Sequence, residues 1–222
     1  MVKTSVIITN YNYARYLGRC IRSCLNQTMP PEDYEVIVVD DGSTDNSKQV
    51  IESLADRVKP VFIEHSGVAY ASNVGIKKAL GTFIIRVDAD DYINQNMLLF
   101  MTEILVWNPD ISFVYCDHFL VNEKEEKTER LQLNTVEMLY NHGAGIMFRK
   151  SNLEAIGVYD VTLENCEDYD LVARYLKNFD GYYLKLPLYR YRKHDNSLTS
   201  NKKEREKWRK HVIDKHRSEV PK

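Results

Sequence analysis

The chain has 222 residues, 44% of them hydrophobic and 28% charged, with a formal net charge of −2. That length buries a good core in one domain or slightly more, and the near-neutral balance gives no global pull toward nucleic acid. No apolar run approaches a membrane-spanning length, and Met1 to Ser5 runs straight into strand-like Val6-Ile7-Ile8, too short a lead for a signal peptide.

The first half alternates strand and helix patterns. Ser5 to Thr9 reads as a strand, and Tyr13 to Asn26 as a helix with Leu17, Cys20, Ile21 and Cys24 at helical spacing. Glu35 to Val39 is a second strand. Asp45 to Ala55 is a helix with Ser43, Thr44 and Asp45 as candidate caps. Val61 to Glu64, then Val68 to Leu80 closed by Gly81, then Thr82 to Val87 repeat the pattern. Asn94 to Trp107 is a helix ended by Asn108-Pro109, and Ile111 to Cys116 is a fifth strand. Such alternation specifies an α/β fold with βαβ units and a mostly parallel sheet.

The second half is less regular. Asn122 to Arg130 is a charge run suited to an exposed hairpin or loop. Gly143 to Phe148 reads as a strand, Ser151 to Ile156 as a short helix closed by Gly157, and Glu167 to Asn178 as a helix. Gly181 to Leu186 is a strand, followed by an extended, tyrosine-rich Pro187 to Arg192. From Ser200 onward nine Lys/Arg face four Asp/Glu, which marks a basic, partly helical extension. It is either a plain solvated helix or a membrane-surface contact through Trp208 and its lysines. Cys20, Cys24, Cys116 and Cys166 form no C-x-x-C pair and no framework, as expected in a reducing cytoplasm.

Three strand exits carry polar signatures: Thr9-Asn10-Tyr11-Asn12, Asp40-Asp41-Gly42-Ser43-Thr44-Asp45 and Asp88-Ala89-Asp90-Asp91. In a parallel sheet these exits share one edge, where open α/β folds bind their ligands. Each alone is explained by a turn or a helix cap; their joint occurrence is not. Clustered carboxylates repel by about 3 kcal/mol per pair at about 5 Å and an effective dielectric of about 20. They would also repel a phosphate, unless a divalent cation inverts the sign. Mg²⁺ is usually held by one or two carboxylates plus substrate phosphates, and no Gly-x-x-x-x-Gly-Lys-Ser/Thr nest is present to replace it. Tyr11 offers a flat ring for a base, and Asp41 can accept from a base N–H. Further on, Glu167 and Asp168 open a helix, as caps or as a general base beside the pocket. Arg190, Arg192 and His194 suit an anionic ligand or a metal.

With these residues in place, the chain resembles a family 2 glycosyltransferase of the GT-A fold. The motifs that carry the resemblance are Ser5 to Asn12, Val38 to Asp45, Asp88 to Asp91, Glu167-Asp168-Tyr169-Asp170-Leu171 and Tyr191-Arg192-x-His194, spread over about residues 4–200. The resemblance implies a nucleotide-sugar half over residues 1–117, an acceptor-binding and catalytic half over 118–200, and the basic extension over 201–222. It implies inverting transfer of one sugar from a nucleoside diphosphate sugar, UDP-linked by analogy, to a glycan or lipid-linked glycan acceptor, with Mn²⁺ or Mg²⁺ as cofactor. Thr9, Tyr11, Asp40, Asp41 and Asp88 are then nucleotide-sugar contacts, and Asp90 with His194 the metal side. Asp168 is the base, with Glu167 as its rival. Residues i and i+2 of a strand lie about 7 Å apart on one face, which suits Asp88 on ribose and Asp90 on metal.

One departure stands out. Members of the family often carry Arg before the Asn of the third helix, where this chain has Ser72 before Asn73, so Lys77 becomes a candidate diphosphate contact. The expected setting is cytoplasmic, with the tail able to reach the inner membrane face, and no nucleic-acid partner. The competing readings are a sugar-phosphate nucleotidyltransferase and a nucleotide-sugar-binding protein without catalysis.

Overall fold

The computed structural model describes residues 2–141, 143–194 and 202–218. His142, Asp195-Asn196-Ser197 and the two ends of the basic extension, 200–201 and 219–222, lie outside the described residues.

Strands β1 (Thr4–Asn10), β2 (Tyr34–Asp41), β3 (Lys59–Ile63) and β4 (Phe83–Asp88) form a parallel set in the order β3-β2-β1-β4. All seven residues of β1 are buried, because helices cover both faces of a parallel sheet. Alternation along the strand divides the core. Val6 and Ile8 pack with Leu17, Cys20 and Ile21 of α1 (Ala14–Leu25) and Leu98 and Met101 of α4 (Met97–Trp107). Ile7 faces the opposite way, with Ala71 and Ile76 of α3 (Val68–Lys78) and Leu171 and Tyr175 of α7 (Glu167–Leu176). The short α2 (Ser47–Glu52) lies between β2 and β3 in the chain.

Beyond β4 the sheet changes character. The three-residue β8 (Met147–Arg149) runs antiparallel to β4 and to β6 (Phe113–Val121). The Ile111 to Cys116 strand was expected to extend the parallel set, but β8 sits between β6 and β4. β8 falls at the end of the strand expected over Gly143 to Phe148; its antiparallel place between β4 and β6 is what the local pattern does not give. The charge run does form a hairpin, with β7 (Lys127–Leu131) antiparallel to β6.

The two expected segments around Pro187 are one strand, β9 (Gly181–Arg192), parallel to β6. Its register jumps where Cys116 pairs with Leu184 and Asp117 with Pro187. Proline has no N–H for a ladder and is found where pairing breaks. The far end of β9 also pairs with the two-residue β5 (Tyr92–Ile93). Two short helices complete this half, α5 (Val136–Asn141) and α6 (Lys150–Ala155).

The basic extension folds as α8 (Lys202–Ser218) and docks on α7. Val212 is fully buried. Lys215 Nζ donates to Asp160 Oδ2 at 2.7 Å and Asp170 Oδ1 at 2.8 Å, and His216 Nε2 lies 3.1 Å from the same Asp170 oxygen. Arg174 Nε donates to Asp170 Oδ2 at 2.8 Å. The acidic run at 167–170 therefore divides, since Asp170 is an anchor for α8. No helix among the described residues is long and apolar enough to cross a membrane.

Asp170 has a fully buried side chain, and removing one partner of a buried ion pair costs about 3–5 kcal/mol. Asp170→Ala should therefore lose about 3 kcal/mol in urea unfolding and release the α8 amides to hydrogen exchange. Asp170 and Asp160 both titrate below the usual carboxylate range; burial opposes this, but bonds to Lys215 and, for Asp170, Arg174 outweigh it. Their stabilisation is thus complete above about pH 4 and lost as pH falls further. Protection of α8 should drop on acidification from pH 5 to pH 3, a drop that Asp170→Ala largely removes.

Candidate active site

β4 ends at Asp88, and the chain turns through Ala89 and Asp90, with Asp91 N–H donating to Asp88 C=O at 3.0 Å. Asp88 and Asp90 are therefore not spaced as on an extended strand. The turn is held from β9. Asp91 Oδ1 accepts from Arg192 N–H at 2.7 Å, and Arg192 Nε donates to Asp90 C=O at 2.8 Å. The Arg192 guanidinium lies 4.7 Å from the Tyr16 ring centre. Asp91 is buried, and burial with its neighbours Asp90 and Asp88 pushes its carboxyl well above the usual range. It supports the turn rather than facing a cleft.

His194 Nε2 lies 2.9 Å from Asp90 Oδ2, with the imidazole almost wholly covered beside Tyr13 and Tyr16. The two residues expected on the metal side are thus in contact. Among the described residues no group of three His, Cys, Asp or Glu side chains could hold a metal alone. One carboxylate, Asp90, completed by substrate phosphates fits the habit of Mg²⁺. The charges of Asp90, Asp88 and Asp91 also raise the Tyr13 phenol, after burial, so the turn has a negative field that a cation would relieve.

A cleft of about 510 Å³ opens beside this turn, lined by Thr9, Tyr11, Asp41, His65, Gly67 and Asp88 among others. Tyr11 stacks on His65 with ring centres 3.9 Å apart. Asp41 accepts the N–H groups of Ser66 at 2.8 Å and Gly67 at 2.9 Å, so it shapes this wall as well as lining it. Gly67 has φ +90°, a conformation that glycine adopts without strain. Asp40 behaves differently. It is buried and accepts from Asn10 Nδ2 at 2.7 Å and Ser43 Oγ at 2.6 Å. It organises the loop after β2 and does not line the cleft. Lys77 is exposed and lines neither cleft.

A smaller cleft of about 130 Å³ adjoins the first, sharing Val68, Asp88 and Glu164 with it. At its base is Arg86, a buried guanidinium in the middle of an apolar strand. Arg86 Nη1 donates to Glu167 Oε1 at 3.1 Å and Nη2 to Asp168 Oδ2 at 2.6 Å. Nε lies 3.1 Å from Asp88 Oδ1, off the direction of a good hydrogen bond. Tyr159 covers the guanidinium at 5.1 Å. Asn73 fixes Tyr159 with two backbone bonds, 2.8 Å to its C=O and 3.0 Å from its N–H. Ser72 bonds back to Val68 C=O and lies 3.5 Å from Arg86 Nη1. The sequence reading missed Arg86; a lone arginine inside Phe83-Ile84-Ile85-Arg86-Val87 was the available signal, since buried charge must be paired.

Three carboxylates around one guanidinium leave excess negative charge. Burial pushes the Asp168 carboxyl up to about 7, with Glu167 and Asp88 adding to the rise and Arg86 opposing it. Burial also raises Asp88; at Arg86 burial pulls the other way, but the surrounding carboxylates together outweigh it and hold the guanidinium well above its usual value. The helix N-terminus of α7, capped by Cys166 in the left-handed region, receives both Glu167 and Asp168 in its first turn. Gly143 makes the approach possible: a Cβ there would lie 2.6 Å from Asp168 Cβ. A carboxylate poised near neutrality at a cleft floor is suited to accept a proton.

The family model for glycosyl transferase family 2 matches residues 5–159. The chain belongs to that family. Curated relatives include an uncharacterized glycosyltransferase of Nostoc, 40% identical over 57% of this chain and 39% of that protein. Another, from Rickettsia typhi, is 29% identical over 88% of this chain and 65% of its own length. The chondroitin synthase of Pasteurella multocida is 31% identical over 77% of this chain and 18% of its own length. The chain thus spans less than two thirds of these relatives. Among solved structures, Staphylococcus aureus TarS in complex with UDP superposes with a TM-score of 0.74 at 25% identity, over 87% of this chain and 61% of that one. A Pyrobaculum calidifontis mannosyltransferase with GDP-Man and Mn²⁺ gives 0.76 at 17%, over 99% and 65%. These neighbours bear out the GT-A fold.

Arg86→Met should unfold about 3 kcal/mol more easily at pH 8, because it strands buried carboxylates. Arg86 opposes the rise at Asp88 and Asp168, so without the guanidinium both hold their protons more tightly and the folded state takes up protons as pH falls. The penalty should shrink at pH 6, measurable by urea unfolding at both values.

Proposed function

We propose that this chain transfers one sugar from a nucleoside diphosphate sugar to an acceptor hydroxyl by a single displacement with inversion. The observation that carries the reading is the junction of the two clefts at Asp88 and Glu164, with a stacking ring at one end and a raised carboxyl at the other. The nucleoside lies in the larger cleft against Tyr11, Thr9 and Asp41, and Asp88 faces the ribose. UDP in the TarS complex supports uridine as the base. The acceptor, a glycan or lipid-linked glycan, enters the smaller cleft.

Asp168 takes the acceptor proton as the hydroxyl oxygen bonds to the anomeric carbon, and the bond from that carbon to the diphosphate breaks. Arg86 keeps Asp168 aimed and its proton affinity near neutral. Glu167, tied to the same guanidinium, holds Arg86 in place. Asp90 and His194 would hold Mn²⁺ or Mg²⁺, which supplies Lewis-acid stabilisation of a leaving diphosphate. Positioning both substrates contributes several kcal/mol, within the range of about 7–11 kcal/mol open to well-oriented reactions. The setting we infer is cytoplasmic. Lys203, Lys207 and Lys210 on the exposed face of α8 suit an anionic membrane surface.

Asp168→Asn should keep donor affinity within about twofold and lower transfer at least 10³-fold, on the scale of general-base contributions of about 10²–10⁴. The wild-type rate should fall below about pH 7, following Asp168. Asp90→Ala should lose the Mn²⁺-dependent part of UDP binding in calorimetry; unchanged binding would remove the metal assignment. Inactivation by Glu167→Gln together with an active Asp168→Asn would move the base to Glu167. UDP-sugar binding without turnover across donors and acceptors would favour the non-catalytic reading.

A further inference from the structure

Just after the strand-exit turn, β5 enters the wall of a cavity of about 530 Å³. The cavity shares no lining residue with either cleft. Among the described residues its lining carries four cations, Arg19, Arg22, Lys127 and Arg190, against one carboxylate, Glu125. The chain as a whole is slightly negative, at −2, so this concentration of positive charge is local.

Glu125 is already engaged. It lies 2.8 Å from Arg19 Nε and 3.4 Å from Nη2 of Arg192, the residue that braces the Asp88–Asp91 turn. Arg22, Lys127 and Arg190 have no carboxylate partner among the described residues. For two of them this is ordinary. Arg22 stands in the last turn of α1, where a cation suits the helix end, and Lys127 is exposed to water.

Arg190 is different, because it is only 7% exposed. Its Nη1 donates to the C=O groups of Pro187 at 2.6 Å and Tyr189 at 3.3 Å, while Nε and Nη2 bond to nothing among the described residues. Its guanidinium lies 5.0 Å from the Phe119 ring centre, and the Lys127 ammonium lies 4.9 Å from the same ring. Two like charges thus share one ring. Burial lowers the Arg190 guanidinium below its usual value, and no carboxylate offsets it. Arg86, also buried, is held up by three. A buried cation calls for a counter-charge. The protein supplies one to Arg86 and none to Arg190, and Arg190 is the one that lines an open cavity. The planar fork of a guanidinium matches phosphate oxygens two at a time, and several unmatched cations favour an anion with more than one charge.

We propose that this cavity binds a multiply charged phosphate group, gripped by buried Arg190 and by Arg22 and Lys127 at its exposed side, at a site separate from both clefts. The phosphate belongs to a free oligophosphate or to a phospholipid headgroup; the chemistry at the guanidinium is the same. The site does not depend on sugar transfer.

Calorimetry on the full chain, without divalent cations so that the Asp88–Asp91 turn keeps its own negative field, should show tripolyphosphate binding roughly tenfold tighter than citrate, on the scale of a charge-assisted bidentate contact. Arg22→Gln with Lys127→Gln, two exposed changes, should weaken tripolyphosphate by roughly tenfold and leave UDP affinity with Mn²⁺ within about twofold. Arg190→Gln should weaken it at least as much, and Arg190→Lys, which keeps the charge without the fork, should recover part of the loss. Tripolyphosphate should raise the melting temperature of the wild type but not of Arg190→Gln. Vesicles of phosphatidylglycerol decide the source: binding that tripolyphosphate displaces and Arg190→Gln weakens assigns the headgroup, and tripolyphosphate binding without it assigns a free compound. Affinity for tripolyphosphate that is unchanged in both the double variant and Arg190→Gln overturns the proposal, as does citrate binding as tightly as tripolyphosphate. A double variant that loses UDP affinity in step with tripolyphosphate also overturns it, by assigning the cations to the donor. If tripolyphosphate binds as described and no nucleotide sugar is turned over, the transferase reading fails and the phosphate site remains.

Discussion

Everything at the smaller cleft depends on one buried guanidinium. Arg86 leaves the middle of β4 and meets Asp88 from its own strand and Glu167 and Asp168 from α7, some eighty residues later. A buried arginine without these partners would cost several kcal/mol; three carboxylates without the arginine would repel each other. Each half of the cluster makes the other tolerable. The arrangement also fixes where α7 can lie, because its first turn must reach β4 at hydrogen-bond distance. Gly143 clears the space for that approach, and Tyr159 and Asn73 close the cluster from the side. The same geometry sets the chemistry, since an excess of carboxylates over cations lets one of them hold its proton near neutral pH.

The strand-exit turn follows a different rule. Beyond Asp88, the Asp90 and Asp91 carboxylates are not gathered around a guanidinium, and what holds them is the backbone and ring framework of β9 and the following His194. Arg192 grips the turn by its N–H and Nε, directing its charge at the Asp90 carbonyl and its face at Tyr16 and Tyr92. The carboxylate of Asp90 is left to His194. Two acidic clusters that share Asp88 thus differ in design, one gathered around a buried guanidinium and the other braced by backbone and rings. That contrast underlies the proposed division between proton transfer and cation-dependent phosphate binding.

Much of this was legible in the sequence. The Thr9, Asp41 and Asp88 exits converge because β1, β2 and β4 are parallel neighbours, and parallel order follows from the alternation of strand and helix patterns. Asp91 as a turn support and Asp168 beside the site were readable from position alone. Three features were not. Arg86 was absorbed into an apolar run, since period and composition say nothing of where a side chain's charge is paired. Asp40 looks equivalent to Asp41 in the chain, yet a strand sends successive side chains to opposite faces, and Asp40 turns inward to Asn10 and Ser43. The β8 strand was readable in Gly143 to Phe148, but its antiparallel place between β4 and β6 was not, because a local apolar pattern does not name its pairing partner. The basic tail was read by its charge, but its function in the fold lies in Val212 and in Lys215 finding Asp160 and Asp170.

The long β9 strand carries a consequence for how the molecule is assembled. The β3-β2-β1-β4 core joins segments that all lie within the first 88 residues, so it can form early from comparatively short loops. The Asp88–Asp91 turn, by contrast, takes its clamp from Arg192 and its cover from His194, about a hundred residues downstream. Contacts of that separation form slowly, because the chain between them must be ordered first. Until β9 arrives, the nascent sheet displays three adjacent carboxylates with neither the Arg192 brace nor the Tyr13 and Tyr16 shelter around His194. Folding of the scaffold and completion of the Asp88–Asp91 turn are thereby separate events, and the second waits for the last strand of the sheet.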